Sequence, residues 1–159
     1  MIEYNFKNIT FHKRPIPVLP EYRPVYKIAQ IVIGLKKCCK KNKASLLLLH
    51  LFSWALKSNE NEIQILEYIK SPNKAVLEVW TFEPSLNRAL HFAQAENLIE
   101  MIMPQGHYGL TERGHKFADI LTDNNLVLLQ EKLFFNTIKY SITETLVQDI
   151  SKKWSNSNA

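Results

Sequence analysis

Five lysines within eight positions, Lys36, Lys37, Lys40, Lys41 and Lys43, are the residues best suited to chemistry in this chain. No acid interrupts the run. Ammonium groups at this density suit phosphate oxygens, and each contact with a nucleic-acid backbone gains from counterion release. A solvated helix end that aids solubility fits the same pattern. The formal net charge is +5, from 20 Lys and Arg against 15 Asp and Glu, so the run equals the whole surplus. Up to Lys43 the chain carries a net +8, and the remainder carries −3. A protein that coats nucleic acid over its whole surface would not be divided this way.

The other reactive residue types form no catalytic pattern. His12, His50, His91, His107 and His115 are scattered, and His50 lies inside an apolar run, as a core histidine would. Cys38 and Cys39 are adjacent, which makes a mutual disulfide strained, and the chain has no other cysteine. They read as small buried hydrophobes in a reducing cytoplasm. Glu60 and Glu62 read as helix-start acids. A Gly-rich phosphate loop, an HExxH motif and a nucleophile elbow are all missing from the sequence. The expectation is a non-enzyme with no cofactor, no metal and no small-molecule ligand.

The elements that would position these residues follow from length and periodicity. At 159 residues and 46% hydrophobic content, the chain suits one domain with appendages. The opening residues hold no apolar signal-type segment, and no apolar run approaches the roughly 20 residues of a membrane span. Residues 1–23 carry Pro15, Pro17 and Pro20 among Tyr4, Phe6, Phe11 and Tyr22, which predicts an extended arm with aromatic anchors. Pro24 suits the first turn of a helix over 24–41, with Val25, Ile28, Ala29, Val32 and Leu35 on one face. A second helix, starting at Lys43-Ala44-Ser45 and running to about Lys57, is apolar nearly all round and should be central. Asn59 to Glu62 resembles a capping box for a third helix, with Ile63, Leu66, Ile69 and Tyr68 inward, ended by Ser71-Pro72-Asn73. Residues 76–82 read as a short strand.

Pro84 opens a helix to about Asn97, with Leu86, Ala89, Leu90 and Ala93 inward and Asn87, Arg88, His91 and Gln94 outward. Leu98 to Leu110 then reads as a hairpin turning at Pro104 to His107, and Thr111 caps a helix to about Leu121. Two more helices should follow. One places Leu126, Leu129 and Leu133 on its inner face; the other starts at a Ser141 to Glu144 capping box and continues through Ile142, Leu146, Ile150 and Trp154. The fold class is therefore mainly α with a small β-hairpin. It divides into an arm over 1–23, a winged-helix domain over 24–121 and C-terminal helices over 122–159. The outward face of the helix over 84–97 carries one cation, Arg88, and the turn at 104–107 none, which is poor equipment for reading DNA.

Several segments together resemble the middle component of ABC-three-component systems, closest to the small third subunits of Lamassu-type defence complexes. They are Arg23 to Ile31, Lys36 to Leu46, Trp54-Ala55-Leu56, Leu86 to Leu90 and Leu110-Thr111-Glu112-Arg113-Gly114. The resemblance covers about residues 15–121. It implies a non-catalytic accessory subunit that binds an SMC-like ATPase and an effector, often a nuclease, and reaches DNA through the complex. On that reading Lys36, Lys37, Lys40, Lys41, Lys43 and Arg88 are candidate nucleic-acid contacts. Phe11, Arg14, Pro15, Tyr22, Arg23, Tyr26 and Trp154 are candidate partner contacts. A small winged-helix transcription regulator, and an antitoxin-like adaptor, stand as alternatives.

Overall fold

The computed structural model describes residues 23–72, 77 and 83–157, with backbone alone at 154–157. Residues 1–22 of the expected arm over 1–23, the expected strand over 76–82 apart from Leu77, and the side chain of Trp154 lie outside the described residues. So do the candidate contacts Phe11, Arg14, Pro15 and Tyr22.

The first helix, α1 (Pro24–Cys38), opens on its proline as expected but stops three residues early. Lys40–Asn42 form a short 3-10 turn in which Lys41 and Asn42 take positive φ. This reversal turns the chain into β1 (Lys43–Ala44), a two-residue strand. Ser45 then caps α2 (Leu46–Ala55), its hydroxyl accepting from the Leu48 amide at 3.1 Å. The second helix thus begins three residues later than its composition suggests. Its central role holds, because every residue from Leu48 to Ala55 is buried.

Helix α3 (Asn59–Lys70) is capped by Ser58, which accepts from the Asn61 amide at 3.2 Å, and not by Asn59. The shifted cap shifts the inner face. Ile65 and Tyr68 are buried and Ile63 is exposed. Helix α4 (Pro84–Ala95) buries Leu86, Ala89, Leu90 and Ala93, the four residues its spacing selects.

Strands β2 (Ile99–Ile102) and β3 (His107–Leu110) form the expected antiparallel hairpin, with Ile99 opposite Leu110. The outer edge of β3 pairs with β1, Lys43 opposite Gly109 and Ala44 opposite Tyr108, giving a three-stranded sheet ordered β1-β3-β2. The third strand is absent from the sequence expectation, since two residues carry no readable alternation. Helix α5 (Glu112–Asp123) starts at Thr111, whose hydroxyl accepts from the Gly114 amide at 3.0 Å.

Helix α6 (Leu129–Ile138) corrects the expectation most sharply. Leu126, Leu129 and Leu133 are exposed, while Phe134, Phe135 and Ile138 are buried. Both stripes have helical spacing, so periodicity alone does not choose between them. Packing chooses, because Gly34 in the middle of α1 leaves a gap that the Phe135 ring fills. A Cβ built at Gly34 would lie 3.1 Å from Phe135 Cζ. Phe135 also meets Phe52 edge-on, with ring centroids 5.4 Å apart.

Helix α7 (Glu144–Ser157) starts one step after the expected box. Thr143 accepts from the Leu146 amide at 3.2 Å, and the Glu144 carboxylate reaches across to the Ser45 amide at 2.8 Å. Ile142, Val147 and Ile150 are buried, and Leu146 is only partly so. The core is one cluster that α1, α2, α4, α6 and α7 all enter. No helix among the described residues is long and apolar enough to cross a membrane.

Candidate functional site

The turn after α1 splits the lysine run by function. Lys36 stands 3.0 Å from Asp119 and 3.4 Å from His115 Nδ1, both on α5. Lys37 donates to the Asn136 side chain on α6 at 2.9 Å. These two brace neighbouring helices, although a half-exposed pair such as Lys36–Asp119 contributes only about 0–1 kcal/mol. Lys40 and Lys41 are exposed, Lys43 is half-buried, and none of the three forms an ion pair among the described residues. Three cations on one reversed turn and its following strand are therefore the available part of the run. Arg88 is exposed on α4, likewise without an ion pair among the described residues.

Cys38 and Cys39 are free and buried behind this turn, as expected for small hydrophobes. Burial pushes the Cys38 thiol up to about 12, against a small opposing pull from Lys37. Burial raises Cys39 as well, helped by Cys38 and Glu144. Both are neutral thiols at pH 7, and a neutral thiol is a poor nucleophile. Among the described residues no group of three or more His, Cys, Asp or Glu is placed to hold a metal ion.

The sequence reading missed a buried polar cluster where α1, α2 and the start of α4 meet. Glu83, the residue before α4, points its carboxylate inward to Lys27 at 3.2 Å and Lys57 at 2.6 Å, and accepts from the Ser53 hydroxyl. Lys27 also donates to Ser53 at 2.8 Å. The Glu83 amide donates to His50 Nδ1 at 3.2 Å. Burial works to raise the Glu83 carboxyl, but the bonds from Lys57 and Ser53 and the charges of both lysines outweigh it and hold it below the usual range. Burial lowers His50, against Asn87 and Glu83, so the ring is neutral at pH 7. His50 is the core histidine its position suggests, with the added task of holding the entry to α4. A lysine inside a helix face was the available signal: Lys27 precedes buried Ile28 in α1 and is itself 2% exposed.

A second buried contact joins α1 to α6. The Tyr26 hydroxyl and Gln30 Nε2, the latter at 3.3 Å, both donate to Glu131. Tyr26, a candidate partner contact, thus spends its polar end inside the fold, and its ring is half-buried. Arg23 is exposed just ahead of α1.

Two surfaces present apolar groups. On α4 and the hairpin, Phe92, Met101 and Met103 are exposed, as are Arg88, Glu96 and Glu100. On the far side, Leu133 and Leu66 line an open groove of about 260 Å³ between α3 and α6, with exposed Ile63 and Leu129 on the same two helices. Glu62 also lines that groove, its carboxyl raised by burial and by Glu131. Isolated exposed apolar residues are ordinary on any surface, whereas grouped ones mark contact sites.

Compared with protein-family models, curated proteins and solved structures, the chain matches none.

Proposed function

We propose that this chain is a non-catalytic interaction subunit of a cytoplasmic defence complex, joining an SMC-like or ABC-type ATPase to an effector nuclease. The core is read as a winged helix, with β1, β2 and β3 as its sheet and α4 as the helix in the recognition position. The observation that carries the reading is the chemistry of α4 and the hairpin. Where a DNA reader needs several cations, α4 and the hairpin offer Arg88 alone, and their other exposed residues include Phe92, Met101, Met103, Glu96 and Glu100. Such a mixture suits a protein partner, since Met and aromatic residues are enriched at interface cores. The groove between α3 and α6 supplies a second apolar surface, as a subunit with two partners requires. The family-like segments from Arg23 to Gly114 support the choice of partners.

Purification of the chain together with the products of its neighbouring genes tests the proposal. An SMC-like ATPase should co-purify, and Phe92→Glu with Met103→Glu should release it. A chain that purifies alone from such a co-expression overturns the reading. Footprinting of the isolated chain tests the alternative, a winged-helix regulator, which would protect a specific palindrome at nanomolar concentration.

DNA contact by the complex should fall on the available cations. Lys40→Glu with Lys41→Glu is expected to reduce the slope of log K against log salt by about 2. Lys36→Glu with Lys37→Glu should leave that slope nearly unchanged, because those side chains face α5 and α6. Equal effects of the two pairs would remove the assignment.

A further inference from the structure

A cavity of about 390 Å³ opens between the end of α1, the β1–β3 edge and the start of α7. That volume lies in the range of small-molecule sites. Its inner wall is apolar, made by Cys38, Cys39, Leu48 and Ile142, all buried. Its polar lining includes Lys40 from the 3-10 turn, Lys43 from β1 and His107 from β3. Tyr140, 55% exposed, stands at the mouth. His107 Nδ1 is shielded from solvent and makes no hydrogen bond among the described residues. The single carboxylate in the lining, Glu144, is occupied by the Ser45 amide at 2.8 Å. With two lysines against that one carboxylate, the lining keeps one net positive charge.

We propose that this cavity binds a small phosphorylated molecule of nucleotide size, its phosphate held by Lys40, Lys43 and His107 and its body seated on the apolar wall beside Tyr140. Two ammonium groups and an imidazole supply charge-assisted donors to phosphate oxygens. The apolar wall gives no advantage to a bare inorganic anion, which selects a ligand with a ring or chain behind its phosphate. A DNA duplex is too wide to enter a space of this size. Lys41 does not line the cavity, so it stays open to backbone contact while a ligand engages Lys40, which faces DNA only when the cavity is empty. The site does not rest on the ATPase partnership, and a chain that purifies alone can still bind such a ligand.

Amide NMR of the full chain tests the site, with AMP, adenosine, inorganic phosphate and a 5′-phosphorylated oligonucleotide as separate probes. AMP should saturably shift residues 38–43, 107 and 140–145, and adenosine and inorganic phosphate should each bind at least about tenfold more weakly, each lacking one half of the recognition. Lys40→Gln with Lys43→Gln should weaken AMP by at least about tenfold, as loss of two charge-assisted bonds requires, while Lys41→Gln leaves it unchanged. The same spectra report whether each variant is folded. No saturable shift with millimolar AMP, equal binding of AMP and adenosine, or undiminished binding in the double variant would overturn the proposal. Shifts from the oligonucleotide alone would also overturn it, by assigning these lysines to nucleic acid.

Discussion

Glu83→Gln is expected to be among the most damaging single substitutions in the fold, at about 3 kcal/mol or more of stability. The carboxylate is the anion facing Lys27, whose side chain is 3% exposed. A neutral amide in its place removes the Glu83 charge from beside that buried ammonium, and breaking a buried pair from one side costs about 3–5 kcal/mol. Lys57 adds less, because at 35% exposure water solvates it when the pair is lost. Urea denaturation should show the midpoint falling with an unchanged m-value. Lys27→Met combined with Glu83→Gln should recover part of the loss, since both charges of the pair are then removed together. A double variant no more stable than Glu83→Gln would show that the pair is not the cause.

The same cluster sets the acid side of the stability curve. Glu83 titrates lower folded than unfolded, so its contribution is present above its unfolded value, about 4.3, and is lost as pH falls through the folded one. His50 is also lowered, so the unfolded chain takes up its proton first, and stability declines as pH falls below about 6.5. Cys38 acts at the other end. Its raised thiol keeps full stability below its unfolded value, about 8.5, and loses it as pH rises toward 12. His50→Gln should remove most of the decline between pH 6.5 and pH 5 while leaving the steeper loss near pH 4, as thermal melts across that range would read.

Gly114→Ala is the second large effect, expected at about 3 kcal/mol or more because the clash is with backbone. A Cβ there would sit 1.9 Å from the Leu98 carbonyl oxygen and 2.9 Å from its carbon. Neither atom belongs to a flexible side chain, so α5 would have to move away from the strand. The Leu98 carbonyl is already committed, accepting from the Thr111 amide at 3.2 Å. Thr111 in turn donates to the Asn97 carbonyl at 2.6 Å and accepts from the Gly114 amide. The Leu110-Thr111-x-x-Gly114 element is thereby explained as a joint. Thr caps the helix and ties it to the end of the turn after α4, and Gly lets the two backbones touch. Thr111→Ala should cost about 1 kcal/mol, the usual loss of a helix cap, and clearly less than Gly114→Ala. Thermal denaturation of the two variants compares them directly. An alanine at 114 costing less than one at 111 would show that the close approach is not structural.

Both devices bear on the surface assigned to partner contact. Glu83 fixes where α4 begins, and Thr111 with Gly114 fixes how the hairpin leaves it. The surface proposed for partner contact is held at one end by the buried Glu83 cluster and at the other by the Thr111–Gly114 joint, which is how a rigid presenting surface is built.

Elements with local signals were legible before any tertiary contact is considered. Pro24 and Pro84 open helices, Thr111 caps one, and Leu86, Ala89, Leu90 and Ala93 mark the inner face of α4. The hairpin turning at 104–107 and the burial of both cysteines were equally legible. Caps, proline geometry and a single dominant stripe act within four residues, so a linear reading captures them. Tertiary structure alone decided the rest. Strand β1 exists because β3 offers it an edge, and α6 turns Phe135 inward because Gly34 leaves a gap on another helix. The lysine run is one feature in sequence and two in space, since Asp119 and Asn136 approach Lys36 and Lys37 only after α5 and α6 fold back onto α1. Glu83 finds Lys27 across 56 positions and Ser53 across 30. Each of these choices is made by a partner far along the chain, and the chemistry of a residue is set by the charge and burial such partners impose.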